Sequence, residues 1–492
     1  MRRALFAAAL ITFFTATPAL CADAPVSDIT AECIDCHGSF QPGIVEDWKQ
    51  SRHAAMTPGE AMKVEGLARK VSSESIPEEL QGVAVGCAEC HMLRPDAHAD
   101  TFDHLGYDIH VVVSPDDCRT CHSEEAAQFA KNLMSHARNN LADNAVYHML
   151  QENIIGEPKV EAGRVTVAPS DADTRAEACY YCHGTQLEAT GTEIRDTMAA
   201  GELEFPVIEG WPNQGVGRIN LDGSRGACSA CHTRHRFSIE MARKPYTCKE
   251  CHIGPDVPVY KVYSASKHGN LFSTHEKEWN FKEVPWTVGE DFTAPTCAAC
   301  HISLLVDAWD VQIASRTHQM NDRIPWRLFG LIYAHPHPKS PDTTIIRNRD
   351  GQPLPTDFAG GFAEDDLIGE EEQHRRKTTL LQTCLACHDT SWVSGFWRRF
   401  ENTIEKTNAS TKAATQIMQE IWAKKLADPQ NPFDEAVERL WSDNWLFYAN
   451  TTRFASAMAG GGDYGVFADG RYALSKNILE LQDWLMLRDA LP

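Results

Sequence analysis

The sequence is poor in positive charge. Its 46 lysine and arginine residues face 68 aspartate and glutamate residues, which gives a formal net charge of −22. A surface with such an excess of carboxylates repels nucleic acid and anionic membranes. We therefore expect no nucleic-acid partner, and we expect the charge to serve solubility or to attract a basic protein.

Long apolar runs are missing after the N-terminal segment. No later stretch approaches the roughly 18–20 apolar residues that a membrane helix needs, so we predict no membrane span in the mature chain. The N-terminus reads MRRALFAAALITFF and continues as TATPALCADA. A basic start, an apolar run and small residues are typical of a secretory signal, which we expect to be cleaved near Ala22–Ala24. The sequence thus predicts an exported, periplasmic protein.

The chain also lacks a cysteine that is free to form a disulfide, although exported proteins often use disulfides. Of its 17 cysteines, sixteen belong to eight pentapeptides of the form C-x-x-C-H. The remaining one, Cys21, lies in the expected signal segment. The pattern excludes a fold held together by disulfides.

The C-x-x-C-H motif is the attachment sequence of c-type haem. Two thioether bonds join the cysteines to the macrocycle, and the histidine becomes the proximal axial ligand of the iron. The eight motifs predict eight covalently bound haem c groups. In chain order they comprise Cys33, Cys36 and His37; Cys87, Cys90 and His91; Cys118, Cys121 and His122; Cys179, Cys182 and His183; Cys228, Cys231 and His232; Cys248, Cys251 and His252; Cys297, Cys300 and His301; and Cys384, Cys387 and His388.

A chain with only 43% hydrophobic residues has few apolar side chains for each of eight haems. We expect the flat haem faces to form much of the core. The predicted fold class is a mainly α multihaem cytochrome c, with short helices and loops wrapped around eight haems.

After the eighth motif the pattern changes to apolar residues at helical spacing, in the stretches 400–425, 433–460 and 474–491. This predicts a C-terminal helical bundle. The expected domains are a signal peptide (1–24), an octahaem cytochrome c domain (25–390) and a C-terminal helical region (391–492).

A low-spin haem needs a sixth ligand, and a second histidine from a distant segment is the usual choice. Thirteen of the 21 histidines lie outside the motifs, so counting leaves open whether one iron lacks a sixth ligand. His235 follows His232 by three residues and cannot easily reach over its own haem, so we expect it to ligate a neighbouring haem. The other predicted distal ligands are His53, His136, His268, His110, His318 and His335, with His337 as the alternative to His335.

Several stretches resemble the octahaem hydroxylamine oxidoreductase family. They are CYYCHGTQ (179–186), the segment 215–269 that begins GVGRINLDG, SRHA near the start, NLMSHARNNL (132–141) and CLACHDTSW (384–392). With the eight ordered motifs, the resemblance spans about residues 30–400. It implies a mostly helical subunit, often a homotrimer, in which seven haems have two histidine ligands and the fourth has an open, reactive iron. His183 would then be the proximal ligand of the catalytic haem.

Two departures from the family affect the expected chemistry. The family motif GPD is usually followed by histidine, but here Asp256 is followed by Val257, which cannot carry a proton. Members that oxidise hydroxylamine also cross-link the catalytic haem to a tyrosine near the C-terminus. Tyr464 and Tyr472 are the local candidates, and the sequence places neither at the cross-link position.

The resemblance implies a small nitrogen oxide as substrate, with hydroxylamine oxidation or nitrite reduction as the reaction. Asp256 is the expected acid or base, and Tyr333 a weaker candidate for a hydrogen-bond donor in the pocket. Electrons would pass to or from a redox partner cytochrome or a quinone-linked membrane cytochrome. Val257 and the short chain favour a reductive or bidirectional enzyme. The alternative is a pure electron conduit in which every iron has six ligands.

Overall fold

The computed structural model describes residues 24–460, 462 and 470–490. Short helices dominate the first third. They are α1 (Asp28–Phe40), α2 (Pro42–Lys49), α3 (Arg52–Ala55), α4 (Pro58–Met62), α5 (Glu78–Gln81), α6 (Cys87–His91), α7 (Pro115–Cys118), α8 (Ser123–Ala130), α9 (Ala137–Ala142) and α10 (Ala145–Ile155). Proline begins α2, α4 and α7, because its fixed φ suits the first helical position and its missing N–H costs nothing there.

The middle of the chain continues with short helices. These are α11 (Ala172–Glu177), α12 (Cys179–His183), α13 (Ile239–Arg243), α14 (Pro245–Lys249), α15 (Val259–Ala265), α16 (Lys267–His275) and α17 (Cys297–His301). Short 3₁₀ turns occupy Gly66–Ala68, Pro95–Ala97, Leu133–His136 and Cys228–Ala230. The dominance of helix agrees with the predicted mainly α class.

Small antiparallel ribbons, which the sequence had not indicated, stand between the helices. The strands are β1 (Phe102–His104), β2 (Tyr107–Ile109), β3 (Glu157–Glu161), β4 (Arg164–Ala168), β5 (Glu188–Thr197), β6 (Gly201–Glu209), β7 (Trp286–Thr287), β8 (Leu305–Val306), β9 (Gln312–Ala314), β10 (Trp326–Arg327) and β11 (His335–Pro336). Hairpins form from β1–β2, β3–β4 and β5–β6, and β10 pairs with β11. The β7–β8–β9 sheet combines a parallel and an antiparallel pair.

The helices after the seventh motif include the three longest of the described residues, α18 (Glu370–Leu385), α19 (Thr390–Ala423) and α22 (Arg471–Asp489). Between α19 and α22 lie α20 (Ala436–Asp443), a π-helical turn (Asn444–Ala449) and α21 (Asn450–Ala457). Helix α19 begins well before the predicted residue 400, because the Asp389 side chain accepts hydrogen bonds from the N–H groups of Ser391 and Trp392 and so caps the helix directly after the eighth motif.

The apolar core is divided into separate clusters. The largest joins Leu331, Tyr333, Trp422, Trp441 and Trp445, and so connects the segment before β11 to α19, α20 and the π turn. A second surrounds Trp286, and smaller clusters contain Trp48 and Trp397. Apart from Ile34 and Ala299, these clusters contain no residue of a C-x-x-C-H motif within the described part. In that part, too, no helix has both the length and the apolar character of a membrane span.

Candidate haem and catalytic site

The second, fourth and seventh C-x-x-C-H motifs each form a single helical turn, at Cys87–His91, Cys179–His183 and Cys297–His301. In α12, for example, the turn runs from Cys179 to His183 and ends at Gly184. Residues i, i+3 and i+4 share one face of a helix, so the two thiols and the imidazole point to the same side. This local geometry suits two thioether bonds and one axial bond to the same haem.

Five motif histidines each face a histidine from outside the motifs. The ring centroids lie 6.1–6.4 Å apart, a narrow range for pairs from unrelated segments. The pairs are His37 with His104, His122 with His53, His91 with His235, His232 with His318, and His388 with His268.

This spacing fits a metal ion between the two rings. With a metal–nitrogen bond of about 2 Å on each side, the centroids of two imidazoles on one iron fall about 6 Å apart. Burial adds to the match, because it lowers the pKa of His53, His232 and His318 to about 4 and so keeps these rings in the neutral, ligating form. The residues present therefore fit haem groups held by two histidines.

The structure brings His53, His235, His268 and His318 to motif histidines, and His235 faces a motif other than its own, as the sequence predicts. The distal candidate that sequence reasoning missed is His104, on β1. It lacks the small neighbours that had marked the other candidates, and only the hairpin that carries it brings it to His37. No signal in the sequence alone would have found it.

His110 lies beside the second motif, as the prediction requires, but its ring nitrogens are engaged. Its Nδ1 lies 3.2 Å from the carbonyl oxygen of Val112, and its Nε2 lies 2.9 Å from that of Leu93. The ring stacks on His98 at 3.7 Å, and its centroid lies 6.0 Å from that of His91, slightly nearer than His235. The His110 carbonyl oxygen lies 2.8 Å from Nδ1 of His91. Because both ring nitrogens of His110 point at backbone oxygens, His235 is the better placed partner, and ligation by His110 stays a prediction.

His136 and His335 are near the core but face no motif histidine among the described ring contacts. Nδ1 of His136 lies 3.1 Å from the Ser135 hydroxyl. His335 is buried, and its Nδ1 lies 2.6 Å from the Pro336 carbonyl oxygen. Its Nε2 and the Nδ1 of His337 are buried without a hydrogen-bond partner.

Contacts between cysteines give the order in which the motifs meet. Cysteines of different motifs lie close enough to shift one another's pKa. These pairs are Cys33 with Cys87, Cys118 with Cys228, Cys248 with Cys297, Cys182 with Cys251, Cys90 with Cys121, Cys231 with Cys248, and Cys300 with Cys384. The motifs therefore form a line in the order one, two, three, five, six, seven, eight. The fourth branches from the sixth, which is its sole motif neighbour among the contacts of the described residues.

The fourth motif has a firmly built proximal side. The Nδ1 of His183 lies 3.2 Å from the carbonyl oxygen of Ala137, so it carries the proton and leaves Nε2 as the free lone pair. Gly184 has φ +92°, and a Cβ there would lie 2.2 Å from the backbone nitrogen of Arg218. A Cβ on Gly217 would lie 2.6 Å from the His183 carbonyl oxygen. Glycine is thus required where the segment around 215–218 packs against this motif.

Asp256 lies beside the fourth and sixth motifs. Its negative charge raises the pKa of His183 and of His252, against the larger lowering effect of burial, and it also acts on Cys179 and Cys182. A residue of the C-terminal helices holds the loop that contains Asp256. Asn450, which is fully buried, donates from Nδ2 to the Asp256 carbonyl oxygen at 3.3 Å, and its Oδ1 accepts from Arg453 at 3.1 Å.

Tyr333 is part of the largest apolar cluster. Its hydroxyl donates to the Phe358 carbonyl oxygen at 2.8 Å, and burial raises the pKa of Tyr333 to about 12. The phenol is therefore engaged in packing contacts and stays protonated. Of the two candidates for a cross-link, Tyr472 is exposed on α22, and Tyr464 lies outside the described residues.

Comparisons with known proteins agree with this geometry. A family model described as seven times multi-haem cytochrome CxxCH matches residues 221–310. The chain is 28% identical over 432 residues to a probable nitrite reductase-hydroxylamine oxidoreductase fusion protein of Kuenenia stuttgartiensis. A solved structure described as a hypothetical multiheme protein is 38% identical, covers 94% of this chain and 96% of its own, and has a TM-score of 0.88. The chain belongs to the multihaem c-type cytochromes, and one relative that it matches is named as a hydroxylamine oxidoreductase fusion.

The relatives differ in how much of their own length this chain matches. The chain spans 38% of the length of the Kuenenia fusion protein, and the match covers 84% of this chain. A reducing HAO-like protein complex from the same organism is 17% identical, with a TM-score of 0.59 over 93% of this chain and 85% of that chain. At that identity the likeness concerns the fold alone.

Replacing Gly184 with alanine should destabilise the holoprotein by about 3 kcal/mol or more, because the new Cβ meets backbone atoms and the positive φ disfavours any side chain. Gly38 is the matched control. It also follows a motif histidine, but it lies in α1, and a Cβ added there would have no other atom within 4 Å, so alanine should be neutral or slightly stabilising. Thermal unfolding and haem content measure both. Equal effects of the two changes would contradict the packing described for the fourth motif.

Replacing His104 with alanine should convert one low-spin haem to a high-spin form without loss of covalent haem. The control is His275, an exposed histidine whose Nδ1 lies 3.0 Å from a Glu278 carboxylate oxygen and which faces no motif histidine among the described residues. Electron paramagnetic resonance of the oxidised protein measures the change. A spectrum that stays the same in the His104 variant would exclude His104 as a ligand.

Proposed function

We propose that the chain is an octahaem c-type oxidoreductase that acts on small nitrogen oxides at the haem of the fourth motif. The observation that carries the proposal is the position of this motif at the end of a branch. The two other ends, at motifs one and eight, each have a facing histidine, whereas His183 has none among the described residues and instead lies within the electrostatic reach of Asp256.

The proposed ligand set follows from the same geometry. His104, His235, His53, His318 and His268 are the distal ligands for motifs one, two, three, five and eight. Two of the three remaining buried or half-buried candidates, His136, His335 and His337, then serve His252 and His301. The unpartnered ring nitrogens of His335 and His337 support this part of the proposal.

The chemistry requires electrons and protons together. Oxidation of hydroxylamine to nitrite releases four electrons and five protons, and reduction of nitrite to ammonium takes up six electrons and eight protons. When bound, the haem iron supplies the open coordination position and the electron exchange. The protein must supply the protons and the electron path.

The residues around the fourth motif divide this work. The Ala137 carbonyl fixes the orientation and tautomer of His183. Asp256 gives or accepts the protons as general acid and base, since Val257 in the next position has no titratable group. Asn450 holds the Asp256 backbone, so the C-terminal helices position the carboxylate. Tyr333 supports the pocket wall by packing.

The direction we favour is reduction, or turnover in both directions. Val257 stands where the family that the sequence resembles usually has a histidine, so one proton carrier is missing, and the Kuenenia relative bears both nitrite reductase and hydroxylamine oxidoreductase in its name. A tyrosine cross-link to the fourth haem would favour oxidation. The proposed setting is periplasmic, after loss of the segment 1–24, and the proposed assembly is a homotrimer of subunits with an octahaem domain (25–390) and a C-terminal helical bundle (391–492).

The second candidate is an electron conduit in which all eight irons have two protein ligands. It is favoured by the five histidine pairs. Optical spectra of the dithionite-reduced protein, recorded before and after addition of nitrite or hydroxylamine, separate the candidates. We expect an ordinary c-type spectrum that shifts on ligand addition. A separate red-shifted band, together with a protein mass that shows a haem–tyrosine link, would indicate hydroxylamine oxidation. A spectrum that does not change on ligand addition would contradict the enzyme proposal.

Changing Asp256 to asparagine should lower nitrite or hydroxylamine turnover by about 100-fold, because the amide can neither give nor take the required proton. The control is Glu250→Gln, a change at an exposed carboxylate that also interacts with Cys182 and Cys251. It should leave turnover nearly unchanged. Both variants are compared at equal haem content, and an Asp256→Asn enzyme with full turnover would remove this residue from the mechanism.

A further inference from the structure

Two motifs have an exposed cysteine, and they are the two ends of the main line. Among the sixteen motif cysteines, Cys36 and Cys387 are exposed, while the others are partly covered. Cys36 belongs to the first motif and Cys387 to the eighth. A redox partner on the outside therefore comes nearest to the electron path at these two points.

The first motif lies next to an arm of strong negative charge. We call the β5–β6 hairpin (residues 188–209) the acidic arm, because it carries six carboxylates and a single basic residue, Arg195. Phe205 of the arm packs 5.3 Å from Phe102, ring centroid to ring centroid, and 6.5 Å from His104. The arm is thus anchored on the strand whose histidine faces His37.

Paired carboxylates of the arm destabilise the hairpin. Glu188 stands opposite Glu209, and Asp196 stands opposite Glu202. The adjacent β1–β2 hairpin repeats the arrangement, with Asp103 opposite Asp108. Like charges in directly paired positions destabilise a ribbon, and a ribbon of two strands is already marginal in water. All six carboxylates of the arm are exposed, so no packing requirement explains them.

We propose that the acidic arm, together with the β1–β2 hairpin, is the docking surface for a basic protein electron carrier with a lysine-rich face. Each encounter passes one electron between the haem of the first motif and the redox centre of the carrier, one being oxidised as the other is reduced. The exposed tip residues Ile194 and Met198, 71% and 92% accessible, add apolar contact at the rim. The proposal rests on the proposed function for the haem groups, and it holds for either direction of substrate chemistry.

Charge decides between a carrier and a second copy of this chain as the occupant. A second copy brings the same net charge of −22 and the same arm, so the two surfaces repel each other. A lysine-rich carrier is attracted to the arm, and long-range attraction of this kind speeds encounter at low ionic strength.

The test uses the full holoprotein and a lysine-rich monohaem cytochrome c as the probe. The variant is Glu202→Lys with Glu209→Lys, which turns both like-charge pairs of the arm into opposite-charge pairs and so should not unfold it. The control is Glu157→Lys with Asp483→Lys, a change at two exposed carboxylates outside the arm that gives the same change of charge and places no like charges in paired strand positions. Calorimetric titration gives the affinity, and stopped-flow mixing gives the electron-transfer rate constant, each at two salt concentrations.

At low salt we expect the arm variant to lose about tenfold or more in both affinity and rate constant, with a weaker salt dependence, and the control to change less than about twofold. Equal effects of the two variants would overturn the proposal. So would a change in the molecular mass of the arm variant by light scattering, because the arm would then be a contact between copies.

Turnover of nitrite or hydroxylamine with a small neutral redox dye separates this proposal from the proposed function. A protein that shows no turnover but binds the probe through the arm retains the docking surface and loses the enzymatic role. A protein that turns over normally but binds the probe equally well with and without the arm charges retains the enzymatic role and loses the docking surface.

Discussion

The structure depends on one separation, the 6.1–6.4 Å between the ring centroids of paired histidines. Two bonds to one iron would fix that distance, and each pair brings together segments far apart in the sequence, such as those of His232 and His318. Such pairings would set the path of the chain more than regular secondary structure does. This explains why the helices before α18 are short and why the apolar core is divided into separate clusters.

The sequence was informative wherever the determinant is local. The C-x-x-C-H spacing predicts each proximal histidine because all three reacting groups lie within five consecutive residues. Distal partners were harder, since a ligand arrives from any segment that the fold brings near. His235 could be argued from its distance to His232, whereas His104 was missed because a short hairpin, invisible in the composition, carries it to the first motif. The position of the β5–β6 hairpin was not predicted either, because it also depends on how distant segments fold together.

The candidate catalytic centre was identified from the family resemblance and from the structure together. The resemblance to a known family singled out Asp256, and the structure puts its charge within reach of His183 and His252. The support that α21 gives to the Asp256 loop was not foreseeable, since Asn450 looks like any other polar residue of a C-terminal helix. Tyr333 shows the opposite case, a residue marked by resemblance whose hydroxyl is engaged by the Phe358 carbonyl in an apolar cluster.

The branch at the sixth motif has a consequence for timing. The proposed chemistry at the fourth motif needs four or six electrons, whereas carriers exchange them one at a time. The sixth motif lies on the line from the first motif to the eighth, and the fourth motif lies to one side of it. Under the proposed function, haems along the line would hold electrons between encounters, and electron exchange with the fourth site would pass beside His252.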